Sequence, residues 1–312
     1  MKLVFFGTPE CAVPFLQRVA AEHEVLAVVT QPDRPQGRGR RVEASPVKQA
    51  ALALGLPVLQ PRRVRAASVC ALPPLQEAEA FVVVAYGQIL SRNLCSQPDR
   101  PVLNVHFSLL PDLRGSAPVQ RALLGGRQTT GVTIQYVAEA VDSGDVVLQQ
   151  EVPIAPQDDA GALFAHLTEV GQDLLSQALY LVERGAAVGV PQDESRATLA
   201  PPLRPEEAAV DWTRPAVEIS NQIRAFSPQP GAYCSYQSLR LKLFSPRTEE
   251  SAIGAEPGEI LAVTTEGLLV QAGEGAVLVG EVQPAGKRRM PAAAFARGAR
   301  WESGTILHSG AQ

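Results

Sequence analysis

Lys2-Leu-Val-Phe-Phe-Gly-Thr-Pro9 is the stretch whose reading decides the fold class. Four apolar residues in succession, Leu3 to Phe6, read as a buried strand that stops at Gly7-Thr-Pro9. A helix follows, with Ala12, Phe15, Leu16 and Val19 on its apolar side, and then a second strand over Val25 to Thr30. Strand, helix and strand at this spacing predict a βαβ unit, and with it a parallel sheet of the α/β type. Ala80-Phe-Val-Val-Val-Ala85 extends that sheet and is apolar throughout, as a central parallel strand should be. It delivers Tyr86, Gly87, Gln88, Ile89 and Leu90 to the carboxyl edge, where open α/β sheets bind ligands. A dinucleotide site is not expected. The first turn holds only Gly7, and Gly37-x-Gly39 has Val42 where a third glycine belongs.

Working outward, Pro101 to Phe107 reads as a short strand ending in a turn. Asn104 and His106 stand two apart and so share one face, while Leu103, Val105 and Phe107 take the other. A carboxamide beside an imidazole is a donor pair suited to an oxyanion developing on a carbonyl carbon. Downstream lie the acidic echo Val141-Asp-Ser-Gly-Asp145 and strands over Val132 to Tyr136 and Val146 to Ile154. A long amphipathic helix is expected over Gly161 to Glu183, with Leu163, Leu167, Val170, Leu174, Leu175 and Leu181 as its stripe. The pattern then breaks into Gly, Pro and charge. This places a first domain at 1–189, a linker at 190–205 and a second domain at 206–312. Beyond a helix over Ala216 to Phe226, short alternating runs at close spacing indicate a small β-barrel.

The 312 residues, 46% hydrophobic and 19% charged, suit two globular domains with substantial cores. No run approaches a membrane span, and Met1-Lys2 leads directly into a strand with no cleavage pattern, so a cytoplasmic chain is expected. Cys11, Cys70, Cys95 and Cys234 lie far apart, which favours buried thiols over a disulfide or zinc framework. A net charge of −4 does not advertise nucleic-acid binding, but charge is local. Between Gln31 and Ser45, Pro32, Pro35, Gly37 and Gly39 are expected to block regular structure, and Arg34, Arg38, Arg40 and Arg41 fall within eight positions. Four guanidiniums on such a loop form a phosphate-seeking arm. Arg62, Arg63 and Arg65 add a second cluster, and Lys287, Arg288 and Arg289 a basic loop on the barrel.

Several long motifs, in order, carry a family resemblance: Asn104-Val-His106, Ser108-Leu-Leu-Pro111, Arg114-Gly115, Gly131-Val-Thr-Ile134 and Asp142-x-Gly-Asp145. With them the chain resembles the folate-dependent formyltransferases. Gln31-Pro-Asp-Arg-Pro35 and Val84-Ala-Tyr-Gly87 are similar to the branch that acts on methionyl-tRNA. The resemblance implies a Rossmann-like catalytic domain followed by an OB-like barrel. It further implies Asn104, His106 and Asp142 as the catalytic trio and 10-formyltetrahydrofolate as donor, with no metal. Ser108, Leu109, Leu110 and Pro111, together with residues 86 to 90, would line the folate site. Backbone of Tyr136 to Asp142 would help hold the pterin. Initiator methionyl-tRNA would be the partner, met by Arg34, Arg38, Arg40 and Arg41 and by the barrel's Lys287, Arg288 and Arg289. A monomer is expected. Leu199 and Pro202 stand where the family usually has Tyr and Lys, and Phe107 where it usually has a small residue.

Other readings can be weighed beside this one. His106, Ser108 and Asp142 superficially supply a hydrolase triad, but no G-x-S-x-G surrounds Ser108. His23, His166 and His308 are scattered, with no H-E-x-x-H. A sugar-nucleotide N-formyltransferase would share the trio without needing the arginine arm. A non-enzymatic RNA-binding protein would keep the basic loops but has no use for the trio.

Overall fold

The computed structural model describes residues 1–36, 41–237, 239–250 and 254–310, which form two compact units. The first comprises Met1–Gly115, Thr130–Val152 and Phe164–Ala200. Its strands are β1 (Lys2–Gly7), β2 (Glu24–Val29), a ribbon of β3 (Arg34–Gln36) and β4 (Arg41–Glu43), β5 (Val58–Leu59), β6 (Ala80–Val84), β7 (Leu103–His106), β8 (Thr129–Tyr136) and β9 (Val146–Pro153). Among the described residues the main sheet has the order β5-β2-β1-β6-β7-β8-β9. β5, β2, β1, β6 and β7 run parallel, and β8 is antiparallel to β7. The order reverses between β1 and β6, which places the ligand-binding crevice of such sheets beside the carboxyl ends of these strands.

All five residues of β6 are buried, as its apolar run requires. The helix Val13–Glu22 lays Phe15, Leu16 and Val19 into the core. The helix Pro46–Ala53 starts on Ser45, whose hydroxyl accepts from Lys48 N at 3.1 Å. The long helix Ala160–Glu183 buries Leu163, Leu167, Leu174 and Leu175 as expected, but continues through Ala178, Leu179 and Val182. Val170 and Leu181 are only half-buried, because the face turns through Gly171. A Cβ there would meet Phe15 Cζ at 2.8 Å. Phe107 lies in the same layer, edge-on to Phe15 and Phe164, which is what occupies the space a smaller residue would leave.

Two expectations change. Pro32, Pro35 and the glycines do not abolish regular structure between Gln31 and Ser45, since β3 and β4 pair antiparallel with Pro35 opposite Val42. A two-stranded ribbon tolerates proline because one side of each strand needs no partner. Gly37, Arg38, Gly39 and Arg40 lie outside the described residues, as does the side chain of Arg41. Of the four thiols only Cys234 is fully buried; Cys11, Cys70 and Cys95 are half-buried.

The second unit comprises Ser116–Thr129, Pro153–Leu163 and Pro201–Gln312. Its strands are β10 (Tyr233–Tyr236), β11 (Leu239–Glu249), β12 (Ile260–Val263), β13 (Leu268–Gln271), β14 (Ala276–Pro284), β15 (Met290–Pro291) and β16 (His308–Ser309). They make an antiparallel OB-like sheet in the order β12-β13-β14-β11-β10-β16, with β15 on β14. β11 bends at Ser245, whose φ is 52°. Gly280 opposite leaves room for the bend, as a Cβ there would lie 3.1 Å from Ser245 O. The helix Ala216–Ala225 packs on β11, β14 and the helix Pro118–Leu124.

The stretch read as a linker divides between the units. Residues 190–200 are bound to the first: Val190 and Val146 exchange backbone bonds at 2.8 Å, and Ala200 N donates to Arg114 O at 2.7 Å. Residues 201–205 open the second. In that unit Arg121 grips Glu207 through two bonds of 2.7 and 3.0 Å. These bonds hold the Glu207 carboxyl down at about 2. Stability from this depressed group is complete above the unfolded value near 4.5 and disappears as pH falls from there to about 2. Solvent reaches 24% of the Glu207 side chain, so screening trims the contribution to about 1–2 kcal/mol. Glu207→Gln should therefore flatten the acid limb of a chemical-denaturation profile between those pH values. An unchanged limb would mean that the pair contributes nothing to stability.

No helix among the described residues is long and apolar enough to cross a membrane.

Candidate active site

β7 brings Asn104 and His106 to the centre of the first unit's sheet. Its neighbours place Gln135 directly opposite Asn104 and Thr133 directly opposite His106 on β8. Cross-strand partners share a face, so these four polar side chains gather on one side of the sheet. Thr133 and Gln135 are the two polar members of an otherwise apolar run, Val132 to Gln135, and both are buried. That alternation is the signal that could have singled out Gln135; the pairing of its strand with β7 carries no such signal. Leu103, Val105 and Phe107 are buried on the other face, and His106 is itself only 5% exposed. A central strand has both faces covered.

His106 Nε2 lies 3.0 Å from the carbonyl oxygen of Leu113, and Nδ1 lies 3.5 Å from Asp142 Oδ2. A carbonyl only accepts, so Nε2 carries a hydrogen and Nδ1 is left as the nitrogen free to exchange one. Asp142 takes a left-handed backbone, φ 53°, and its carboxylate has two further donors. Gly115 N gives to Oδ2 at 2.9 Å, and Gln135 Nε2 gives to Oδ1 at 3.0 Å. Asn104 is half-buried. The structure thus brings together all three residues singled out as catalytic, and surrounds them with Gln135, Gly115 and the Leu113 carbonyl, to which the sequence reading had assigned no role.

The Ser108-Leu-Leu-Pro111 turn is pinned beneath this group. Ser108 Oγ donates to Asp112 O at 2.6 Å, Thr133 Oγ1 donates to Ser108 O at 2.6 Å, and Gln149 Nε2 donates to Leu110 O at 3.0 Å. Ser108 therefore spends its hydroxyl on the turn and not on His106, which removes the hydrolase triad. Leu110 is buried, whereas Leu109 and Pro111 are half-buried.

The 86–90 loop leaves β6 through positive φ at Ala85 and Gly87. The ring of Tyr86 belongs to the core, edge-on to Phe6, and burial pushes its hydroxyl up to about 12. Thr8 Oγ1 and Gln31 Nε2 donate to Tyr86 O, Gln88 Oε1 accepts from Val64 N at 3.0 Å, and Arg65 Nε donates to Ile89 O at 2.9 Å. Ile89 is exposed and Leu90 buried. Gln31 also accepts from Arg34 Nη2 at 3.2 Å, which ties the base of the arginine arm to this loop. In the second unit Lys287 and Arg288 are exposed. Arg289 is engaged by Glu281 at 2.5 Å and stacks 4.3 Å from the Phe244 ring centroid. Among the described residues no three His, Cys, Asp or Glu side chains cluster as metal ligands.

Residues 1–179 match the formyl transferase family, and residues 202–300 match the formyl transferase C-terminal domain. The chain belongs to the formyl transferase family. A methionyl-tRNA formyltransferase of Moorella thermoacetica is 48% identical over 309 residues, covering 98% of this chain and 99% of that one. Among solved structures, an N-formyltransferase from Helicobacter canadensis, in complex with folinic acid and dTDP-3-aminofucose, superposes with a TM-score of 0.69. It is 18% identical and covers 93% of this chain and all of that one, which is a likeness of fold alone. HypX from Aquifex aeolicus, in complex with tetrahydrofolic acid, gives 0.64 at 19% identity; the match spans 95% of this formyl transferase and 47% of HypX.

Proposed function

We propose that the chain transfers the formyl group of 10-formyltetrahydrofolate to the α-amino group of methionine on initiator methionyl-tRNA. The observation that carries this reading is 48% identity, end to end, with a methionyl-tRNA formyltransferase. The grouping of Asn104, His106 and Asp142 supports it chemically.

The amine attacks the formyl carbon and forms the new C–N bond, and the bond from that carbon to N10 of the folate breaks afterwards, as N10 takes a proton. The Asn104 amide and the Nδ1–H of His106 donate to the oxyanion that develops between these events. Asp142, fixed by Gly115 N and Gln135, balances the charge on the imidazole and orients a water that carries the amine proton toward N10. The 86–90 loop and Ser108 to Pro111 bound the folate pocket at the carboxyl edge of the sheet. The tRNA is held through its phosphates by Arg34, Arg38, Arg40 and Arg41 and by Lys287 and Arg288, with Arg289 bracing that loop from its bond to Glu281.

Parallel assays with 10-formyltetrahydrofolate test this. Initiator methionyl-tRNA should be formylated with a kcat/KM at least ~10³ times that for a dTDP-amino sugar, because the sugar makes none of the phosphate contacts along the tRNA. Preference for the amino sugar would replace this reading with the sugar-nucleotide one.

A further inference from the structure

The Asp142 turn is gripped from outside by a pair of side chains to which no role has been assigned. The turn's left-handed residue is Asp142, φ 53°, a conformation that aspartate adopts more readily than most residues but that still gains from outside support. Gln192, on the segment that follows the long helix, spans the gap. Its Nε2 donates to Asp142 O at 2.9 Å and to Gly144 O at 2.7 Å, and lies 3.3 Å from Gln135 Oε1. Its Oε1 accepts from Arg114 Nε at 3.1 Å and Nη2 at 2.8 Å. Arg114 is only 8% exposed and is itself held by Glu194 through bonds of 2.9 and 2.7 Å.

The orientation of the Gln192 amide follows from its partners. A guanidinium only donates and a backbone carbonyl only accepts, so the oxygen must face Arg114 and the nitrogen must face the turn. The amide therefore couples a fixed cation to the carbonyls on either side of Ser143. Gly144 completes the lock, since a Cβ there would lie 1.7 Å from Tyr136 O. The next residue of the chain after Arg114 is Gly115, whose N–H reaches Asp142 Oδ2. One short stretch thus holds the turn's backbone through Gln192 and its carboxylate directly.

We propose that Gln192, anchored by Arg114, is a positioning residue that sets where the Asp142 carboxylate stands relative to His106. This rests on the proposed role of Asp142 in formyl transfer. It predicts an effect chiefly on turnover, because both side chains spend their polar atoms on the turn, on each other and on Glu194.

Gln192→Ala should lower kcat about 10- to 10²-fold, the loss that follows from misplacing a reacting group, with KM for donor and tRNA within about two-fold of wild type. Gln192→Glu should fall as far. It keeps the acceptor for Arg114 but loses both donors to the turn and puts a second carboxylate beside Asp142. The deciding measurement is the double variant. In an Asp142→Asn background, adding Gln192→Ala should change the residual kcat by less than about two-fold, since a residue acting through Asp142 has nothing left to position. The same fold-loss in both backgrounds would assign Gln192 a general structural role and overturn the proposal, as would a Gln192→Ala enzyme with wild-type kcat. If Asp142→Asn itself retained full turnover, the role of Asp142 would fall instead. A readout without turnover stands beside these: the Gly115 amide resonance, donated to Asp142, should shift and exchange faster in Gln192→Ala. An unmoved resonance would show that Gln192 does not hold the carboxylate.

Discussion

Replacing His106 by alanine should lower formyl transfer about 10²–10³-fold, the usual consequence of removing one oxyanion donor from a preorganised site. The ring is fixed before any substrate arrives, since Nε2 is tied to Leu113 O at 3.0 Å and the side chain is almost fully enclosed. Nδ1 faces Asp142 at 3.5 Å, longer than a good hydrogen bond and short enough to tighten when charge develops. Asn104→Ala should cost a similar factor, because its amide stands on the same strand face as the His106 ring. KM for the folate should stay near wild type in both variants, as a donor used only in the transition state contributes nothing to ground-state binding. Single-turnover kinetics with saturating donor separate these steps. A His106→Ala enzyme retaining more than about a tenth of the wild-type rate would remove the oxyanion role from the imidazole.

The second large effect concerns where the chain can be divided. A fragment ending at Arg204 contains every residue of the first unit, yet it should not be a well-behaved protein. It also contains Ser116–Thr129 and Pro153–Leu163, which belong to the second unit. The helix Pro118–Leu124 buries Val119, Ala122 and Leu123 completely in a unit where it packs on the helix Ala216–Ala225, absent from the fragment. The cut also strands Arg121 without Glu207, and leaves Gly161 N, Ala155 O and Asp158 O without Ser227 and Arg224. Exposing the two larger aliphatic side chains alone costs about 3–6 kcal/mol. That is comparable with the ~5–15 kcal/mol margin of a whole domain. The fragment should aggregate on expression and show no sharp thermal transition, and co-expression of residues 201–312 should restore solubility. A monodisperse fragment melting within about 5 °C of the full chain would show that the inserted segments are dispensable.

Much of the first unit follows from local pattern. Apolar runs such as Leu3 to Phe6 and Phe81 to Val84 have nowhere to go but a sheet covered on both faces. Glycine and proline at strand ends then mark where the chain leaves that sheet. The 3.6-residue period of the long helix was readable, but its face drifted by a residue because only packing reveals that Gly171 lies against Phe15. The second unit's last strands, β15 and β16, are two residues long and carry no pattern to read. The helix Ala292–Ala299 sits in an alanine-rich run whose composition alone does not announce a buried face.

The site divides in the same way. Asn104 and His106 share a strand face because the pleat has period two, a relation that holds whatever the rest of the chain does. Their shared face could therefore be read from the order of residues. Most of what holds Asp142 against them comes from contacts distant in sequence: Gln135 is 7 residues away, but Gly115 is 27 away and the Gln192 bond to the Asp142 carbonyl spans 50. Such contacts depend on the strand order and on the return of residues 190–200 across the first unit, which side-chain periodicity does not encode. Strand and helix repeats are local, so the order of residues already put Asn104 and His106 on one strand face. Tertiary structure alone decided what fixes them in place, because hydrogen bonds to a turn are set by whichever segment the folded chain lays against it.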